Sequence, residues 1–137
     1  MSDWKAIEKR LRSTEERTAP ASNDTLTGIK KSRDDPVYFG KRFLNFQALP
    51  YQEKVLTDRS KRIAVRMSRQ AGKTTTIAVR AIWYAATHPK TLSLIVAPSL
   101  RQSMIMMDRV QSFLYGMKVK DRRALVSKIQ RTVIWFK

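Results

Sequence analysis

Apolar positions along this chain change their period several times, and each change marks a different element. Trp4, Ile7 and Leu11 recur at helical spacing and predict a short amphipathic helix. From Ser13 to Asp34 the sequence is rich in Ser, Thr, Lys and Glu, with Pro20 and Gly28 among them, which predicts a mobile polar linker. Residues 1–34 are therefore expected to stand apart from residues 35–137. Asp35 and Pro36 mark a helix start, with an N-cap carboxylate and a proline at the first helical position. Phe39, Phe43 and Phe46 follow at spacings of four and three, an aromatic stripe expected to pack this helix against a sheet.

Farther along, Gln52 falls in the first turn of a helix running to about Asp58, and Arg62 to Met67 then reads as a short apolar strand. A helix follows from about Thr74, with Ile77, Ala81, Ile82 and Ala85 on one face and an end near Thr87, His88 and Pro89. Thr91 to Ala97 reads as a buried strand, and the next helix turns Met106, Val110, Phe113 and Leu114 inward. Thr132 to Lys137 has the pattern of one more strand. Strand and helix in alternation predict an α/β fold, a parallel sheet flanked by helices. Ligands of such sheets lie beyond the carboxyl ends of the strands, and the turn after Met67 falls there.

That turn is Ser68-Arg69-Gln70-Ala71-Gly72-Lys73-Thr74, followed by Thr75. A glycine there lets backbone approach phosphate oxygens with no Cβ in the way, and the N–H groups opening the next helix converge on negative charge. Lys73 would reach the β- and γ-phosphates as a mobile point charge, and the Thr74 hydroxyl would take one position around Mg2+. The general GxxxxGK[ST] motif is not satisfied, because Met67 stands where its first glycine belongs. The alternative is a plain helix N-terminus with an exposed lysine.

The run SRQAGKTT, with DPVYFGKRFLNFQALPYQEKVL before it and LIVAPSLRQS after it, resembles the N-terminal ATPase part of the large terminase subunit of tailed bacteriophages and proviruses. In that family an SRQxGKT loop often replaces the general motif, so the missing glycine fits the resemblance. The likeness covers about Asp35 to Trp135 and implies a RecA-like ASCE P-loop NTPase fold, incomplete at the C-terminus, that binds ATP with Mg2+ through Gln52 and residues 68–75. It further implies that Lys73 and Thr74 serve as phosphate and magnesium ligands, that Arg69 acts as an arginine finger in cis on the γ-phosphate, and that Gln52 reads adenine beside Tyr51 as a stacking surface. Alternatively, Gln52 is a polar residue of a helix start, and Arg69 a surface or nucleic-acid-contacting arginine.

Ala97-Pro98-Ser99, with Arg101 and Gln102, is similar to the motif after the second strand in terminases and superfamily 2 helicases, which makes Ser99, Arg101 and Gln102 candidate DNA contacts. A Ser-capped helix start is the competing account. ATPases of this class also need an apolar strand ending in Asp-Glu, and beyond Asp58 the only carboxylates are Asp108 and Asp121. Acidic nuclease ligands are missing as well. The chain is accordingly expected to be a truncated, split or early-terminated version of a longer motor, unable to turn ATP over by itself. A helicase-like piece and a catalytically inactive basic DNA-binding protein are the alternatives.

Charge sharpens the expectation about partners. Of 28 Lys and Arg against 11 Asp and Glu, residues 59–137 hold 17 basic and 2 acidic, nearly all of the +17. Such a field favours polyanions, double-stranded DNA first, unless an acidic partner segment neutralises it. Lys118, Lys120, Arg122 and Arg123 form the densest cluster, expected in a solvated loop near Gly116. The resemblance adds a portal, a small terminase subunit and a ring oligomer as partners, in a host cytoplasm. Cysteine is absent, which removes disulfides and thiolate metal sites, and the single histidine, His88, sits beside Pro89 at a helix end. No signal peptide is apparent and no apolar run is long enough to span a membrane.

Overall fold

A computed structural model describes residues 23–137 of the chain. The expected helix at Trp4, Ile7 and Leu11 lies outside the described residues. Where the described part begins, the stretch read as a linker is helical: α1 spans Asn23–Ser32. It packs through small residues, with Thr25, Gly28 and Ser32 buried. A Cβ on Gly28 would stand 3.0 Å from Cζ of Phe43, so the absence of a side chain lets the two helices close up.

The expected start at Asp35 is present. The Asp35 carboxylate accepts the Tyr38 N–H at 2.8 Å, and α2 runs Pro36–Phe43 with proline in its first turn. Asn45, at φ 50°, reverses the chain and brings the Phe46 N–H to the Gly40 carbonyl at 2.9 Å. Then come α3 at Pro50–Thr57, α4 at Lys73–Thr87, α5 at Leu100–Gly116 and α6 at Val119–Leu125. The chain closes with strands β1, Val126–Ile129, and β2, Ile134–Phe136, paired antiparallel with an irregularity in register between Val126 and Lys128.

The core is a helical one. Phe39 and Phe43 of α2, Leu56 of α3, Val79 and Ile82 of α4 and Val110 and Leu114 of α5 share one buried cluster. The aromatic stripe is part of it, with the rings of Phe39 and Phe43 5.1 Å apart and Phe46 edge-on to Phe113 of α5 at 6.1 Å. It packs on helices, not on a sheet. Asp121 of α6 is also buried: Thr25 donates to it at 2.6 Å and Arg42 stands 3.5 Å away, while the same guanidinium holds Asp24 at 2.6 Å. This network ties together α1, α2 and α6; of the basic cluster around it, Lys120, Arg122 and Arg123 lie on α6 instead of the expected loop, and Lys118 stands just before the helix.

The expected α/β P-loop fold with a parallel sheet is contradicted. The described residues are mostly helical and their sheet is a two-stranded antiparallel hairpin. Residues 62–67 and 91–97 are present but join no ladder. The third expected strand does form at 134–136, but its partner is β1. A continuous apolar run indicates a strand only if neighbours cover both its faces and pair both its edges. Here Ile95 packs against the helical core, but Leu92, Leu94 and Val96 are 80%, 76% and 88% exposed, so the described residues leave the other face uncovered. The inward face of α4 differs for the same reason: Thr76, Ala78, Val79 and Ile82 are buried, whereas Ile77 is exposed and Ala81 and Ala85 are half-buried.

Candidate anion loop

Ser68 to Gly72 forms a bend that leads into α4, whose first residues are Lys73, Thr74 and Thr75. Gln70 at φ 62° and Gly72 at φ 75° are both left-handed, and Gly72 is the N-cap. Glycine suits that position because a Cβ would carry the steric penalty of the left-handed region. It also suits the packing, since that Cβ would lie 2.5 Å from Nε2 of Gln52.

The opening turn of α4 is well disposed towards an anion. The Thr76 N–H bonds back to the Gly72 carbonyl at 2.9 Å, but the N–H groups of Gly72, Lys73, Thr74 and Thr75 find no acceptor among the described residues. No side chain caps them and the first turn contains no acidic residue. The partial positive charge of the helix end is thus left uncompensated. Lys73, Thr74 and Arg69 are exposed, and none of their side chains has a hydrogen-bond or ion-pair partner among the described residues. The donor set suits a triphosphate with Mg2+: backbone N–H groups and a lysine for phosphate oxygens, a threonine hydroxyl for the cation. Among the described residues no three His, Cys, Asp or Glu side chains converge as a metal cluster.

Gln52 is brought to this loop, but its amide is engaged. It is 5% exposed, its Oε1 accepts the Leu49 N–H at 2.9 Å, and its Nε2 donates to the Ala71 carbonyl at 3.3 Å. The Tyr51 hydroxyl donates to the same carbonyl at 3.1 Å. At the other end of α3, Arg80 donates to the carbonyls of Val55, of Leu56 at 3.1 Å and of Asp58 at 2.5 Å. Hydrogen bonds from the Ser60 hydroxyl and N–H hold the Asp58 carboxyl below the usual carboxylate range. Sequence reasoning missed Arg80; a lone arginine on an apolar helix face after the loop was the available signal.

The candidate DNA contacts are dispersed. Ser99 caps α5, accepting the Gln102 N–H at 3.4 Å, which is the competing account given above. Arg101 and Gln102 are exposed beside it. Lys118 and Lys120 are exposed, whereas Arg122 is half-buried, donating to the Tyr115 carbonyl at 3.3 Å with its guanidinium 5.4 Å from the Tyr115 ring; Arg123 is half-buried too. A groove of about 630 Å³ lies between α4, α5 and the C-terminal segment, lined by Ala81, Ala85, Leu94, Met104, Met107 and Trp135 among others. None of the loop residues 68–75 borders it.

No helix among the described residues is long and apolar enough to cross a membrane. Comparison with protein-family models, curated proteins and solved structures found no match.

Proposed function

We propose that the chain is the ATP-binding portion of a motor that packages viral double-stranded DNA, similar to a large terminase subunit. The observation that carries the nucleotide half of this reading is the N-terminus of α4. Four successive N–H groups without acceptors open a helix that has no acidic residue in its first turn, with the exposed Lys73 among them and the exposed Arg69 three residues before Gly72. Lys73 would hold phosphate oxygens, Thr74 would contribute a hydroxyl to Mg2+, and Arg69 would neutralise charge at the γ-phosphate. Bound Mg2+ supplies charge neutralisation across the phosphates. Ser68, Gln70, Ala71, Gly72 and Thr75 supply the backbone of the cradle, and Gln52 would give up one of its two hydrogen bonds to read a base.

Turnover would require carboxylates from another polypeptide or segment. The basic excess of residues 59–137 supports DNA as the partner, with Ser99, Arg101, Gln102, Lys118, Lys120, Arg122 and Arg123 as contacts. A ring on a portal with a small subunit, in a host cytoplasm, completes the proposal. Equilibrium binding of ATP tests it: Lys73→Ala should abolish binding while the circular dichroism spectrum stays unchanged. A second reading, a basic DNA-binding protein without nucleotide, is favoured by that same excess of charge. Salt-sensitive DNA binding by a chain that binds no ATP would select it.

A further inference from the structure

We propose that α3 is a splint for the anion loop, making Tyr51, Gln52 and Arg80 positioning residues for triphosphate binding. The inference rests on the reading of residues 68–75 as a triphosphate loop. Two donors at the start of α3, the Tyr51 hydroxyl at 3.1 Å and Gln52 Nε2 at 3.3 Å, hold the Ala71 carbonyl oxygen. That oxygen belongs to the same peptide unit as the Gly72 N–H. In a trans peptide the two point in opposite directions, so fixing the carbonyl towards α3 aims the N–H away from it, at the loop's open side.

This orientation needs holding. The peptide joins Ala71 to left-handed Gly72, and glycine accepts a wide range of backbone angles, so the unit is free to flip unless something opposes it. A flip would replace an N–H donor by a carbonyl oxygen facing the anion. Arg80 secures the far end of the splint, since its guanidinium gathers the carbonyls of Val55, Leu56 and Asp58. Because Arg80 belongs to α4, the helix that opens with the loop also fixes the helix that braces it. The device acts on the phosphate loop even when Gln52 turns to a base, because the Tyr51 hydroxyl holds the Ala71 carbonyl independently.

The test uses the full chain with Tyr51→Phe, which removes one exposed hydroxyl and leaves the core untouched. Affinities are measured for tripolyphosphate, ATP and GTP, each with Mg2+, and the carbonyl carbon shift of Ala71 is recorded without ligand. The splint predicts a weakening of about threefold to tenfold for all three ligands, the worth of one hydrogen bond, together with a moved Ala71 resonance. Unchanged tripolyphosphate affinity in a chain whose parent binds it overturns the splint, and a loss confined to ATP replaces it with a base contact. If the parent binds none of the three, the triphosphate reading fails and takes the binding role with it. The carbon shift then tells whether the brace exists, and an unmoved resonance refutes that too.

Discussion

Replacing Gly72 by alanine, alone and together with Gln52→Ala, separates the two reasons for glycine at the head of α4. The first is backbone: at φ 75° a Cβ costs roughly 1–2 kcal/mol. The second is contact, because that Cβ would lie 2.5 Å from Gln52 Nε2. A flexible side-chain end would swing aside at little cost, but this one is 5% exposed and tied at both ends, to Leu49 and to Ala71. Moving it forfeits a hydrogen bond worth about 1 kcal/mol. Alanine also stiffens the unfolded chain, which returns roughly 0.4–1 kcal/mol. The expected loss for Gly72→Ala is therefore about 2 kcal/mol in the parent and about 1 kcal/mol in the Gln52→Ala background, read from urea unfolding at constant slope. The diagnostic quantity is the coupling, about 1 kcal/mol. Equal losses in both backgrounds would show that the Gln52 amide does not sit against Gly72, and a negligible loss in both would remove the left-handed N-cap as well.

The fold correction has its own test, since Leu94→Ser at an exposed position should change stability by no more than about 0.5 kcal/mol, whereas a buried strand would lose about 2 kcal/mol or more on urea unfolding. Phe39→Ala, in the centre of the helical core, should cost about 3–5 kcal/mol in the same assay, and a loss under 1 kcal/mol would mean that Phe39 is not packed there. Arg42→Ala leaves the buried Asp121 with one hydrogen-bond partner fewer and should cost about 2–3 kcal/mol, with Asp121→Asn in the same background recovering part of it. DNA affinity measured by filter binding should fall by about a thousandfold between 50 and 200 mM salt, and a flat response would remove the basic half as a phosphate-binding surface.

What was legible in the sequence was local. Asp35-Pro36 and Ser99 announce helix starts through side chains that bond within three residues, and the helices beginning there follow. The phenylalanine stripe is core because its spacing matches the helical turn, whatever it packs against. The parallel sheet was not legible, since a strand exists only as part of a ladder and the apolar runs at 62–67 and 91–97 do not encode their partners. Helix α1 was hidden for another reason. It buries Thr25, Gly28 and Ser32, small and polar residues at helical spacing, so no hydrophobic stripe announces it. Asp121 reads as one more charge in a charged cluster, and its burial depends on Arg42, 79 residues away. At the loop, residue types pointed to phosphate chemistry, whereas the clasp on Ala71 depends on where α3 comes to rest.

The most direct test of the account is Mg2+-dependent binding of a fluorescent ATP analogue to the purified chain, with Lys73→Ala as control and hydrolysis followed in the same tubes. Saturable binding is expected that needs Mg2+, is displaced by ATP, disappears in Lys73→Ala and proceeds without turnover. A folded chain that binds no nucleotide, or that binds it equally well without Lys73, would contradict it.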